Sequence, residues 1–519
     1  MELFEHQKSG IGFLKKTKKC ILADEMGLGK TRQAIVAAGE ESKGGTIIVC
    51  PASLKINWQR EIKKVYPNAQ TKIMSSRDSF SLNTWLIINY DIIEKFLPTI
   101  QSAIDQGVIE TIILDEAHYI KGKTKRSACI VGGSFAPKGG KRIKFDGIAN
   151  KVANVYCLTG TPLLNRPIEI FNLLKAIGHP LAASRDYFAK RYCNAFTMVQ
   201  VMDIHTGKKF MVEQKRAYMY YGNKERYKHL FRFLDETGAS NLEELQPKLK
   251  SIMLRRKKAD VLDLPEKIIS VMECDLSEEW QKEYDTAWDR YLAFREAQLA
   301  GEYEGADLTP EEAASLKEEQ RENILSARHL IELTKLKQVC SRSKVDRIVE
   351  DVKNAIEQGE KVIVFSQYTS TIEEIASAFT DKDAKAVTLT GASTMEQRQK
   401  AVDDFQTKED VKVFVSNIKA GGVGITLTKA SIVMFADMEW SPETHAQAED
   451  RAHRYGQTGT VNVYYYVQTG TIEEDIIQSL NEKKGIMEDV LDGKRRKKSE
   501  SALQSFMRKL EERVGKSNA

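Results

Sequence analysis

Short apolar runs recur along this chain, separated by segments of helical periodicity. Between Lys19 and Leu174 they are Cys20–Ala23, Thr46–Val49, Leu86–Ile88, Thr111–Leu114 and Val155–Leu158. Buried strands alternating with helices predict a parallel sheet, so this part reads as an α/β lobe. The rhythm returns after about Lys344, at Val362–Phe365, Ala386–Leu389, Val413–Val415, Ile432–Phe435 and Val461–Tyr465. The expected fold class is therefore α/β: two parallel-sheet lobes with helical insertions between them. The lobes are placed at 1–176 and 343–490, the insertions and linker at 177–342, and a basic tail at 491–519.

The segment between the lobes is polar, rich in Glu, Lys and aromatics, and its pattern predicts helix. Within Glu296–Asn323, Leu308-Thr309-Pro310-Glu311-Glu312 predicts a solvated helix with a Thr N-cap and Pro in the first turn. Tyr187–Phe233 interleaves rings with cations, including Arg191, Tyr192, Arg226, Tyr227 and Arg232. That chemistry suits base stacking with phosphate attraction, and equally the small core of a helical protrusion. The basic glycine loop Pro137–Arg142 is open to the same two readings, and the run Asp492–Glu500 to three: solvated surface, phosphate contact or nuclear signal.

Composition narrows the classes. A chain of 519 residues holds about two to four domains. With 42% hydrophobic and 29% charged residues and no long apolar tract, a membrane or disordered protein is not expected. Met1–Gln7 lacks the basic start and apolar stretch of a secretory signal, so export is not expected. Seven scattered cysteines without a Cys-x-x-Cys pair argue for a reducing compartment, cytoplasmic or nuclear. Since 78 basic residues nearly cancel 73 acidic ones, a polyanion would have to be met by local basic surface.

The chemistry sits at the ends of the apolar runs. Cys20–Ala23 leads into Asp24-Glu25-Met26-Gly27-Leu28-Gly29-Lys30-Thr31 and then a helix, the context of a phosphate-binding loop. Gly27 and Gly29 let backbone N–H groups converge on phosphate, Lys30 suits the β and γ phosphates, and Thr31 suits Mg²⁺. Asp24 stands where the strict motif has glycine. Thr111–Leu114 ends in Asp115-Glu116-Ala117-His118, with Asp115 suited to orient Mg²⁺ and Glu116 to polarise the attacking water. Thr159-Gly160-Thr161-Pro162 is a turn able to register the hydrolysis state. In a predicted helix Thr444–Tyr455, Gln447, Arg451 and Arg454 fall on one face, where the two arginines suit a triphosphate and transition-state charge. A surface helix bonded to its own Glu449 and Asp450 is the plainer alternative.

Taken in order, Gln7, Asp24–Thr31, Asp115–His118, Leu158–Pro162 and Gln447–Gln457 resemble the Swi/Snf-type ATPases of helicase superfamily 2 over nearly the whole chain. Within that family, Phe435–Trp440, Gln447–Gln457 and Thr426 resemble the annealing-helicase, or HepA-related, subgroup, which remodels branched DNA with an extra substrate-binding domain not expected here. The resemblance implies RecA-like lobes sharing one ATP and Mg²⁺ site, with Gln7 reading adenine and Gly424 touching nucleotide. His118, Thr159, Thr161 and Gln447 would couple hydrolysis to the track. Ser53, Trp58, Asn89, Ser366, Gln367, Asn417, Gly421 and Gly422 would line that track, mostly at phosphates. Leu254–Val261 resembles a family segment expected to couple or to touch phosphate, a charged helix end being the alternative. The implied activity is a DNA-stimulated ATPase translocating as a monomer on double-stranded or branched DNA without sequence preference, alone or with protein partners. A strand-separating helicase, a nonhydrolysing DNA scaffold and a motor subunit serving other proteins are the competing readings.

Overall fold

The computed structural model describes the chain except residues 1–2, 42–43, 79–84, 138–139, 161–166, 207–208, 222–224, 237, 301–330, 383, 422–423, 492–504, 508 and 511–519. The helix expected around Leu308-Thr309-Pro310 and the basic run Asp492–Glu500 lie outside the described residues. The chain divides into two compact units, built mainly from Met1–Asp263 and from Leu264–Lys484.

In the first unit all five apolar runs are strands of one seven-stranded sheet. Its order is Met253–Leu254, Lys19–Leu22, Asn154–Leu158, Ile109–Leu114, Gly45–Cys50, Trp85–Asn89 and Thr71–Ile73, and every pairing is parallel. Both faces are covered, as a parallel sheet requires. Sheet residues such as Val49, Ile88, Ile112 and Leu114 pack with Phe96 and Ile100 of helix Ile93–Asp105 in one continuous core.

The expectation of helix from 177 onward is corrected in three places, one of them the two-residue strand Met253–Leu254 already placed at the edge of the first sheet. Phe196–Asp203, Lys209–Glu213 and Tyr227–Asp235 form a three-stranded antiparallel sheet, with one short helix, Gln214–Tyr221. Here alternation decides: Val199 and Val201 are buried between more accessible neighbours, and β-branched and aromatic residues suit a half-buried pleat. Lys267–Cys274 is likewise a strand, paired in parallel along all eight residues with Val461–Gln468. Elsewhere the helical reading holds, at Glu278–Ala300 and at 331–342.

The second unit repeats the plan. Its sheet runs Lys267–Cys274, Val461–Gln468, Ile432–Phe435, Val362–Ser366, Val411–Asn417 and Ala384–Leu389 in parallel, with Thr380–Asp381 as an antiparallel edge. Phe365, Phe405, Phe414 and Phe435 fill its core together with Tyr284, Tyr291, Leu333 and Leu336 from the two preceding helices. Among the described residues no helix is long and apolar enough to cross a membrane.

One ion pair lies wholly inside this unit. Lys344 Nζ sits 2.6 Å from Glu473 Oε2 and donates to the Tyr466 carbonyl at 3.0 Å, while the Gln468 N–H also donates to the carboxylate. Both side chains are buried. Burial pushes the Glu473 carboxyl up, and the Lys344 ammonium pulls it back. Removing one partner of such a pair strands a charge, at a cost of about 3–5 kcal/mol. Lys344→Met should therefore lower the urea midpoint of the full chain sharply, and adding Glu473→Gln should restore most of the loss. A single variant as stable as the parent would show that the pair contributes nothing.

Candidate nucleotide and nucleic-acid sites

Three adjacent strands of the first unit bring the nucleotide motifs to one edge. Leu22 stands in register with Leu158, and Leu114 with Cys157. The phosphate-loop sequence, Thr159-Gly160 and Asp115-Glu116 therefore all leave the carboxyl end of the sheet, where open α/β sheets bind ligands. Gly27 and Gly29 carry φ of 86° and 74°, the left-handed region that costs glycine nothing. A Cβ on Gly29 would also come within 2.4 Å of Gln7 Nε2, so the expected adenine reader lies directly against the loop. Gln7 Oε1 accepts the Phe4 N–H at 3.2 Å.

Lys30 Nζ donates to the carbonyls of Asp24 and Glu25 at 2.6 and 3.2 Å, curling back over its own loop. Thr31, half-buried, follows at the head of helix Lys30–Glu41. The departure from the strict motif has a structural cause. Asp24 is fully buried, and Arg256 Nε donates to its Oδ1 at 2.9 Å. The same guanidinium donates to Gln33 Oε1 at 3.0 Å and to the His6 carbonyl. Gly10 makes room for it, since a Cβ there would meet Gln33 Oε1 at 1.8 Å and Arg256 Nη2 at 2.8 Å. Within Leu254–Val261, then, Arg256 is an anchor of the phosphate loop rather than an exposed helix end.

Asp115 is held on every side. Trp58 Nε1 donates to Oδ2 at 2.7 Å, the Glu116 N–H to Oδ1 at 3.0 Å, and the Tyr90 hydroxyl to its carbonyl at 2.8 Å. Burial, and next the neighbouring Glu116 charge, push its carboxyl up to about 7, against the pull of the Trp58 N–H and of Lys30. This disposes of one expected track contact: the Trp58 ring is wholly buried and serves Asp115. Glu116 adopts left-handed backbone, φ 48° and ψ 52°, sparsely populated for a residue with a side chain. His118 Nδ1 lies 3.2 Å from Glu116 Oε2. Thr159 is buried, and Thr161 lies outside the described residues. Of the other residues expected at the track in this unit, Ser53 is half-buried in the short helix Ala52–Leu54, and Asn89 Oδ1 accepts from buried Lys55 at 3.2 Å.

In the second unit the residues expected at the track gather near one carboxylate. Asp437, fully buried, accepts from the Ser366 hydroxyl, from Ser341 Oγ at 2.9 Å and from the Gln367 N–H at 2.9 Å. Asn417 Nδ2 donates to the Gln367 carbonyl at 3.1 Å, and its Oδ1 accepts the Gly391 N–H. Gln367 and Asn417 line a cleft of about 520 Å³ with Lys419 and Trp440. Ser366 is corrected to a buried support, its hydroxyl consumed by Asp437. Gly421 packs against Ser416 and Phe365, and Gly422 is outside the described residues.

The shared helix face expected of Gln447, Arg451 and Arg454 is also corrected. The helix spans Pro442–Glu449 and gives way to successive turns. The arginines are gathered by a different device: Nη1 of each donates to the Ile425 carbonyl, at 3.1 Å from Arg451 and 3.4 Å from Arg454, while Arg451 Nε donates to the Gln447 carbonyl. Gly424, φ 73°, precedes that carbonyl. Glu449 accepts from Lys267 at 2.7 Å and from the Tyr465 hydroxyl at 2.7 Å. Arg256 and Asp437 are the supports that sequence reasoning missed. The only available signals were the aspartate in a glycine position and an aspartate just past a buried strand.

Residues 6–345 match the SNF2-related domain and residues 343–456 the helicase conserved C-terminal domain. The chain is 29% identical over 506 residues to the human DNA annealing helicase and endonuclease ZRANB3, covering 96% of this chain and 41% of that protein. It is 30% identical over 507 residues to a Caenorhabditis elegans protein, the SWI/SNF-related matrix-associated actin-dependent regulator of chromatin subfamily A-like protein 1 homolog, covering 94% and 62%. It spans about two fifths of the length of the ZRANB3 relatives it matches. The Sulfolobus solfataricus SWI2/SNF2 ATPase core in complex with dsDNA aligns at 23% identity and a TM-score of 0.38, over 94% of this chain and 93% of that one. With a domain match that covers well over half its residues, the chain belongs to the SNF2-related family of ATPases.

Proposed function

We propose that the chain hydrolyses ATP to move along duplex DNA, gripping phosphates and not reading bases. The observation that carries the hydrolytic half is the convergence of Lys30, Asp115 and Glu116 beyond the carboxyl ends of two parallel strands that flank Asn154–Leu158. Lys30, now on the Asp24 and Glu25 carbonyls, exchanges those acceptors for the β and γ phosphates. Asp115 fits Mg²⁺: a carboxylate whose two oxygens each accept one N–H keeps lone pairs for a metal or its waters, and Thr31, next to Lys30, offers a hydroxyl as a further ligand. Bound there, Mg²⁺ would neutralise charge on the phosphates. Glu116 accepts the proton of the attacking water, its aim fixed by the left-handed turn and by His118.

The DNA half rests on the names of the relatives and on the cleft at Gln367 and Asn417. Backbone contacts of this kind hold any sequence. Branched DNA is the finer form of the same reading, suggested by the annealing helicase among the relatives.

Steady-state ATP turnover should rise at least about tenfold when saturating duplex DNA is added, and an unchanged rate would overturn the translocase reading. Glu116→Gln should bind nucleotide as the parent does and lose roughly 10²–10⁴ in kcat, checked by nucleotide affinity alongside turnover. In Trp58→Phe the Asp115 carboxylate loses a hydrogen bond worth about 1.5–3 kcal/mol to its charged form. A Mg²⁺ titration of ATPase activity should then shift to concentrations roughly tenfold higher or more, with little change at saturating metal.

A further inference from the structure

Helices Glu278–Ala300 and 331–342 turn Tyr284, Tyr291, Leu333 and Leu336 into the core of the second unit. Their other faces are not plain solvated surface. Lys282, Thr286 and Arg290 follow one another at four-residue intervals on the first helix, and Lys335, Gln338 and Arg342 share a face of the second. Together they line a groove of about 580 Å³, floored by Ala287 and Val339 and bounded by Trp280 and Ser370. Glu283 is its one acidic lining residue against four cations.

The cations are available to a polyanion. Lys335, itself exposed, lies 2.9 Å from buried Glu332, and Arg342 lies 3.6 Å from Glu374 in an exposed pair of the kind worth about 0–1 kcal/mol. The Arg342 guanidinium is steadied over the Trp280 ring at 5.5 Å. Lys282 and Arg290 stand eight residues apart, about 12 Å along the helix, the axial rise of three to four nucleotides of one strand at about 3.4 Å each.

The groove also adjoins the cleft of Gln367 and Asn417. Helix 331–342 walls both, giving Leu333, Thr334 and Lys337 to the cleft and Lys335, Gln338 and Arg342 to the groove. The consecutive residues Thr369 and Ser370 line one each. A strand lying over Gln367 is thereby led onto Ser370 and the cations beyond.

We propose that this groove is a second phosphodiester-binding site, holding the DNA that flanks the segment gripped at Gln367 and Asn417. It extends the duplex-translocase reading and rests on it. The test is a salt titration of binding to fluorescein-labelled duplexes of 12 and 30 base pairs, using the full chain and its Lys282→Gln/Arg290→Gln variant. Both positions are exposed on a helix surface and leave the core untouched. The variant should lose affinity for the long duplex by roughly tenfold, and its slope of log K against log salt should fall by about 2, near 0.9 per phosphate contact. Binding to the short duplex and ATP turnover without DNA should stay as in the parent. A slope unchanged on the long duplex overturns the groove proposal while leaving the motor reading intact. Failure of the parent to bind either duplex overturns the motor reading itself. Loss of binding to polyglutamate without loss on DNA would assign the groove to an acidic protein and likewise overturn the proposal.

Discussion

The phosphate loop depends on one buried charge pair. Asp24 has no access to water, and a carboxylate so placed is tolerable only with a partner that is also hydrogen-bonded elsewhere. Arg256 supplies that, reaching Asp24, Gln33 and the His6 carbonyl with one planar guanidinium. The pair fixes the loop to the first helix and to the edge strand Met253–Leu254, segments more than two hundred residues apart in sequence. Ordinary phosphate loops use a glycine at this position for backbone freedom. Here the same position is spent on rigidity, and Gly27 and Gly29 keep the flexible part next to Lys30.

Support from behind recurs in both units. Asp115 is oriented by Trp58 and Tyr90, and Gln367 by Asp437, each supporting group itself buried. The accessible residues of each site are few because most of the polar groups near it serve to aim them. A buried network is rigid only when each member finds partners, and these carboxylates do.

Much of this was legible in the sequence, and the exceptions have physical causes. All ten apolar runs became strands, most because a strand buried on both faces must be apolar throughout, Ala386–Leu389 and Val461–Tyr465 with only part of their residues buried. The strands Met253–Leu254 and Lys267–Cys274 escaped notice: the first is two residues long, and the second has a half-exposed pattern with Ile268, Ile269 and Val271 open to solvent. The placement of Asp24–Thr31 and Asp115-Glu116 beyond the carboxyl ends of strands was legible from local spacing, because each directly follows an apolar run. Trp58 and Ser366 were misjudged because polarity and position in a motif do not reveal which way a side chain turns. The break after Glu449 was hidden too, since the arginine spacing fits a helix that the chain abandons for turns.

The shared acceptor at Ile425 has a mechanical consequence. One carbonyl oxygen carries both Arg451 and Arg454, so their guanidiniums form a tethered pair whose common pivot lies four residues beyond Gly421 and eight beyond Asn417. Any displacement of that carbonyl moves both positive heads together. The two charges are thus loads hung from a single hinge, and whatever moves the hinge moves the couple.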